Sequence, residues 1–245
     1  MKTRTNFLIY QLLLMGLFLV FASSCKKDND DKEPQEEIKT FTDARDGYVY
    51  KCTTIGGRVW MAENLKYLPK VEGTAASSDT LPLYYVYNYE GTNVNVAKAS
   101  DNYKTYGVLY NWPAAMNGAP SNSNPMGAQG VCPSGWHLPN DAEWSQLTAQ
   151  LGGDSIAGGK LKETGTSHWA NPNTGASNET GFTALPAGSL VLFSFGFIGK
   201  DTYYWTSTQP ATGGANYRKL SSANSRVDKS WANKQSAFSV RCVKD

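Results

Sequence analysis

Leu138-Pro139-Asn140-Asp141-Ala142-Glu143-Trp144-Ser145-Gln146-Leu147-Thr148-Ala149-Gln150-Leu151-Gly152-Gly153 is the stretch that decides the fold class. Asn140 stands where a helix cap belongs, and Glu143, three residues on, can reach back to it as in a capping box. Trp144, Leu147 and Leu151 fall at i, i+3 and i+7 and make one apolar stripe. Gly152 offers the left-handed stop. The spacing predicts a helix of about three turns.

Outward from this helix the chain supplies short strands. Tyr48 to Ile55 is rich in β-branched and aromatic residues, Gly56-Gly57 turns the chain, and Arg58-Val59-Trp60-Met61 follows, which predicts a tight hairpin. Phe182 to Pro186, Leu190 to Phe193, Tyr203 to Thr208, Tyr217 to Leu220 and Ala237 to Val243 read as further strands. Gly107 to Trp112 reads as a strand or as the entry to a helix at Pro113. No repeat and no strand–helix alternation is present, so the class is α+β with short sheets, few helices and long loops. Residues 66–104 read as a loop-rich insertion in which Leu83 to Tyr89 alternates, placing Tyr85, Tyr87 and Tyr89 on one strand face. Such a face usually packs half-buried; it can also stack on sugar rings.

At the N-terminus, Lys2 and Arg4 precede an apolar run from Phe7 to Phe21, and Ala22-Ser23-Ser24 leads to Cys25. A spanning helix needs about 20 apolar residues, so this run has the length and flanks of a cleavable signal. Ala22-Ser23-Ser24-Cys25 resembles a bacterial lipobox, although Leu is more usual where Ala22 stands. On that resemblance residues 1–24 are a lipoprotein signal peptide and Cys25 carries the lipid, which anchors firmly once two or more acyl chains are present. Lys26 to Glu37 is charged, has no apolar side chain and contains Pro34, so residues 25–44 are expected to be the lipidated Cys and a disordered acidic tether. About a dozen extended residues reach roughly 40 Å. Acidic tracts placed here resemble the surface-export signals of Bacteroidetes lipoproteins. The expected location is therefore the outer membrane, lipid-anchored and surface-exposed, with a periplasm-facing domain as the alternative.

Without Lys2 and Arg4, 21 Lys and Arg balance 21 Asp and Glu. No basic patch stands out, which argues against nucleic acid as a partner. Seven Trp and 14 Tyr among many Gly, Asn, Ser and Thr suit an exported, loop-rich domain with amphipathic aromatic surface. Besides Cys25 there are Cys52, Cys132 and Cys242; export permits a disulfide, and three thiols allow three pairings with one left over.

The chemistry-bearing residues are sparse. His137, between Trp136 and Leu138, reads as a packed, hydrogen-bonded histidine, and His168 as a loop residue. No zinc spacing, nucleophile elbow or phosphate loop occurs, so no catalytic residue and no metal ligand is assigned. Glu143 is explained by capping, whereas Glu63 has no partner visible in the sequence.

Several phrases stand along the chain in a specific order. They are Ile55 to Leu65 (IGGRVWMAENL), Tyr106 to Trp112 (YGVLYNW), Cys132 to Pro139 (CPSGWHLP), Glu143-Trp144, Gly181 to Gly188 (GFTALPAG), Tyr204 to Thr208 (YWTST) and Ser239 to Val243 (SVRCV). As a set they resemble the Fibrobacter succinogenes major paralogous domain of Bacteroidetes and Fibrobacteres lipoproteins, over residues 45–245. The resemblance implies kinship with C-type lectin-like and sulfatase-modifying-factor-like (formylglycine-generating) domains, with short twisted antiparallel sheets. It also implies a topology that brings the start of the capped helix near the last strand, and with it a Cys132–Cys242 disulfide that leaves Cys52 a buried free thiol. In the chain-entropy account, closing so long a loop stabilises by up to about 4–5 kcal/mol.

Two functional expectations follow from the resemblance. C-type lectins hold calcium and sugar through Glu/Gln-Pro-Asn/Asp with nearby acids, and Asn171-Pro172-Asn173 with Asn178-Glu179 is the comparable loop here. Calcium takes six to eight oxygens, so this set is a poor one, and Asn-Pro-Asn is commonly just a turn former. Formylglycine-generating enzymes use two closely spaced cysteines, and Cys242 has no such neighbour. The expectation is a non-catalytic binding module for an extracellular glycan or protein, needing no cofactor, with Ca2+ the one ion its loop admits. The alternatives are a structural part of a surface assembly and, third, a divergent enzyme.

Overall fold

The computed structural model describes residues 39–121, 127–210 and 213–245. Cys25, the signal peptide and the tether as far as residue 38 lie outside the described residues; the end of the expected 25–44 tether is corrected, because Thr40–Thr42 is a strand paired with Val49–Ile55 and Asp43 is buried. Two sheets and, among the described residues, five helices make up the domain. The first sheet runs, in spatial order, Thr40–Thr42, Val49–Ile55, Arg58–Met61, Val243–Lys244 and Trp136–His137. The second runs Asp228–Ala232, Ala215–Ser221, Asp201–Trp205, Ala187–Val191, Ala237–Phe238, Leu109–Asn111 and Tyr84–Tyr85, with Ser194–Ile198 paired onto Ala187–Val191. The α+β class with short sheets and few helices therefore stands. Pairing between these strands is antiparallel except between Ala187–Val191 and Asp201–Trp205, where Gly188 faces Thr202 in parallel; the isolated bridges Lys162 to Ala184 and Tyr204 to Ser239 are also parallel.

The predicted hairpin forms, with Thr53 opposite Trp60 and both Gly56 and Gly57 at positive φ. That backbone is the type I′ turn whose twist matches the flanking strands. The predicted helix is Asp141–Gln150, closed at its start by the complete capping box: Asn140 Oδ1 accepts from Glu143 N–H, and Glu143 Oε2 accepts from Asn140 N–H. Its Trp144 and Leu147 are buried together with Trp60, Phe182, Tyr204 and Leu161 of the following helix, Asp154–Leu161. Within this cluster the ring centroids of Trp144 lie 5.3 Å from Trp60 and 5.6 Å from Tyr204. Offset aromatic pairs of this kind add roughly 0.5–1.5 kcal/mol each beyond the area they bury. A second cluster gathers Met61, Tyr110, Trp136, Trp205 and Phe238 around the Cys132–Cys242 disulfide, whose Cα atoms are 5.9 Å apart.

Several expected strands are corrected. Leu83 to Tyr89 is strand only at Tyr84–Tyr85, because Asn88 turns left-handed with φ 59°. Phe182 to Pro186 holds a single bridge, Ala184 to Lys162, since Thr183 also has positive φ and accommodates the side chain of Asn178. Leu190 to Phe193 is the end of Ala187–Val191 plus a turn at Leu192-Phe193. Ala237 to Val243 divides between the two sheets, Ala237–Phe238 in one and Val243–Lys244 in the other. The 66–104 segment contains two unforeseen helices, Val94–Ala99 and Asp101–Tyr106, the first capped by Asn93 and the second by Ser100.

Candidate functional site

The site grows from the hairpin. Past Met61 the chain leaves the strand, and Glu63 folds its carboxylate back over the neighbouring strand. Its Oε1 accepts from the Lys51 N–H at 3.0 Å and its Oε2 from the Tyr48 hydroxyl at 2.8 Å. Lys66 follows three residues later and is 7 % exposed, its Nζ donating to Tyr48 Oη at 2.6 Å and to the Lys104 carbonyl at 2.7 Å. The Glu63 that had no partner in the sequence is thus joined to Lys66, 3.6 Å away, through a shared tyrosine hydroxyl. Burial pushes the Glu63 carboxyl upward, but the Lys51 N–H, the Tyr48 hydroxyl and the Lys66 ammonium outweigh it and hold it below its ordinary value. Burial pulls the Lys66 ammonium down despite Glu63.

Beneath this group lies Arg241, buried to 1 % exposure. Its Nε donates to Asn64 Oδ1 at 2.9 Å, and its terminal nitrogens donate to the carbonyls of Met61, Phe182 and Thr183. The guanidinium also lies 4.3 Å from the Phe182 ring. One arginine therefore fixes the hairpin exit against the 182–183 turn, and a groove of about 620 Å³ opens between them. Its walls include Lys51, Cys52, Glu63, Lys66, Lys104 and Thr183. Cys52 is half-buried rather than fully buried as expected, and burial, with Glu63 adding to it, pushes its thiol up to about 11. A thiol so protonated is a poor nucleophile near neutral pH.

A second arrangement sits at the helix start. The buried His137 ring bonds Glu143 Oε1 through Nε2 at 2.8 Å and Asp245 Oδ1 through Nδ1 at 2.6 Å, while Arg58 reaches the same Glu143 oxygen at 2.8 Å. Burial pushes the imidazole down, but the two carboxylates outweigh it and hold it above its ordinary value. Both ring nitrogens are engaged, which is the packed histidine the sequence predicted.

The chain matches the Fibrobacter succinogenes major domain over residues 53–244. It belongs to that family. No curated protein and no solved structure matches it. The phrases that carried the resemblance now have places in this Fibrobacter succinogenes major domain: IGGRVWMAENL is the hairpin and the groove wall, and SVRCV carries Arg241 and the disulfide.

The other sequence candidates of this family member do not gather at one place. Tyr85 is fully buried and donates to the Ala76 carbonyl, Tyr87 packs on Phe195 at 5.0 Å, and Tyr89 donates to the Asn93 carbonyl. The shared tyrosine face is not formed, because the strand ends at Tyr85. In the loop, Asn171-Pro172 is cis, and Asn173 donates to the Glu163 and Gly165 carbonyls while its Oδ1 has no partner among the described residues. Asn178 bonds Thr183, and Glu179 pairs with Lys160 at 2.9 Å. The same loop's Thr174 carbonyl accepts from Lys162 Nζ, as do the Ser221 and Asn224 carbonyls, and burial pulls that ammonium down to about 8. Among the described residues no cluster of three or more His, Cys, Asp or Glu is placed to hold a metal ion, and no helix is long and apolar enough to cross a membrane. Tyr48, Lys51, Lys66, Lys104 and Arg241 were missed. Arg241 alone carried a signal, a charge inside the apolar run Val240-Arg241-Cys242-Val243, which is stable only where that charge is fully partnered.

Proposed function

We propose that this domain is a non-catalytic binding module, held on the outer membrane by lipid at Cys25 and facing the cell exterior, that takes a glycan in the groove around Glu63. The observation that supports this most is the internal satisfaction of the groove. Glu63 and Lys66 are oriented by Tyr48, the Lys51 N–H and the Lys104 carbonyl before any ligand arrives. Side chains ordered in advance lose little entropy on binding, and a concavity of this size suits a small polar ligand. The reading takes the fold as C-type lectin-like and the ligand as independent of calcium, in keeping with a groove walled by ammonium groups. It takes the domain as no enzyme, because Cys242 is held by Cys132 and the Cys52 thiol is kept protonated.

A broad glycan array probed with residues 26–245, first with calcium and then with chelator, tests this. A saturable hit that survives chelation and is lost in Glu63→Ala is the expected result; a hit abolished by chelator moves the site to the Asn171–Glu179 loop, and a blank array removes the glycan reading. A second reading, a structural part of a surface assembly, has its own support. The hairpin turn at Leu192 and Phe193 exposes both side chains, at 74 % and 58 %, on left-handed backbone that glycine or asparagine would adopt more easily. Apolar tips of this kind mark protein contacts.

A further inference from the structure

Six charged residues line the groove: Lys39, Lys51, Lys66, Lys104 and Arg241 against the single acid, Glu63. Three of them are engaged within the wall. Glu63 is answered by Lys66, the Lys66 ammonium by Tyr48 and the Lys104 carbonyl, and Arg241 by Asn64 and three carbonyls. The remaining ammonium groups are the surplus. Lys39 and Lys51 have no ion-pair partner among the described residues, and Lys104 has only a solvent-exposed contact of 3.9 Å to Asp101. Several acids and bases elsewhere pair closely, as Lys160 with Glu179, Arg218 with Asp141 and Lys219 with Asp201, whereas the groove gathers five cationic residues around one carboxylate. A cleft lined by one charge focuses its field and raises the local concentration of the opposite charge.

Resting on the glycan reading, we infer that the groove selects acidic saccharides, those bearing a uronate carboxylate or a sulfate ester. Lys51 and Lys104 at its walls supply the charge recognition, and the fixed Glu63 accepts from sugar hydroxyls. The carboxylate disfavours a bare inorganic anion and favours a ligand that carries hydroxyl donors beside its negative group. The two chemistries are separated by the probe.

Two matched pairs, dextran against dextran sulfate and polygalacturonate against its methyl ester, are titrated against residues 26–245 by calorimetry. Retention of an acidic member over its neutral partner is expected, and the member preferred assigns sulfate or carboxylate. Raising NaCl from low to high concentration is expected to weaken binding by roughly tenfold. Lys51→Gln and Lys104→Gln, both exposed and free of core contacts, are each expected to cost about two- to fivefold, and the double variant more. The control double variant Lys70→Gln/Lys200→Gln changes net charge equally outside the groove and is expected to bind as the parent does. Neutral members bound as tightly, or equal losses in both double variants, overturn the acidic selection and leave the glycan reading in place. Retention of polyglutamate alone, with no saccharide of either kind retained, overturns both.

Discussion

Replacing Glu143 tests how much of the fold hangs on one buried carboxylate. Its Oε2 closes the helix cap on the Asn140 N–H, while its Oε1 receives His137 Nε2 and Arg58. These roles separate by choice of substitution. Glu143→Gln keeps an oxygen for the cap, since Gln serves in a capping box as well as Glu, but turns an amide toward His137. Glu143→Ala removes both. Losing the cap costs about 1 kcal/mol. Losing the carboxylate from a protonated, buried His137 costs about 3 kcal/mol or more, the range for breaking a buried pair. The Arg58 pair adds under about 1 kcal/mol because that side chain is about a third exposed.

The pH dependence carries the sharper test. Because the folded pKa of His137 is raised, its contribution is fully present below the unfolded value near 6.5 and is lost as pH rises through the folded value. Just above pH 6.5 the native state holds a proton the unfolded chain has released, so unfolding free energy should fall with pH by up to about 1.4 kcal/mol per unit. In Glu143→Gln much of that slope disappears, leaving what Asp245 sustains. The expected deficit in urea unfolding is about 3 kcal/mol at pH 5.5 and smaller once pH has risen through the folded value, above which the imidazole is neutral and accepts from the amide. Glu143→Ala should lie about 1 kcal/mol lower still on both sides of that value. A Glu143→Gln deficit that is flat with pH, or below 1 kcal/mol at pH 5.5, refutes the charged His137 network.

Reduction of Cys132–Cys242 reopens a loop spanning 110 residues and should lower unfolding free energy by up to about 4.7 kcal/mol, read from denaturant midpoints with and without reductant; unchanged midpoints would count against the bridge. Lys162→Met keeps the apolar stem but strands the Thr174, Ser221 and Asn224 carbonyls, so a loss of roughly 3 kcal/mol is expected, with local hydrogen exchange rising at residues 171–178 before elsewhere. Cys52 should react slowly with iodoacetamide at pH 8 and progressively faster toward pH 11; fast labelling at pH 8 would contradict the pushed-up thiol. Cys25→Ala should release the protein from the membrane fraction, and persistence there would remove the lipid anchor.

What the sequence made legible was local chemistry. Asn140, Glu143 and the Trp144–Leu147 spacing define their helix within a few residues of one another, and Gly56-Gly57 defines its turn by backbone preference alone. The Cys132–Cys242 pairing came from the family phrases, because nothing within either segment says where the other lies. Period-two patterning failed where left-handed residues intervened. Asn88 interrupts an alternating run, and Thr183 and Leu192 interrupt short apolar or β-branched runs, which composition would continue as strand. Leu192 is the hardest of these, since a β-compatible residue in a turn position carries no local signal at all.

The groove was illegible for a different reason. Its members come from Lys39, the strand Val49–Ile55, the hairpin exit, the helix Asp101–Tyr106, the 181–185 turn and the segment between the last two strands. No spacing connects them, and each of its lysines read alone is a solvated surface charge. What joins them is the cost of burying cations. Arg241 and Lys66 sit where water cannot solvate them, so the backbone around each must present oxygens: Met61, Phe182 and Thr183 for the first, Lys104 for the second. Lys162 imposes the same demand on Thr174, Ser221 and Asn224. Three buried cations thus order the long loops of a domain whose strands are too short to do so. The loops shaped by two of them, Arg241 and Lys66, are the ones that wall the groove. The loop once read as a calcium candidate follows the same logic, for the cation its Thr174 carbonyl meets is supplied by the chain itself.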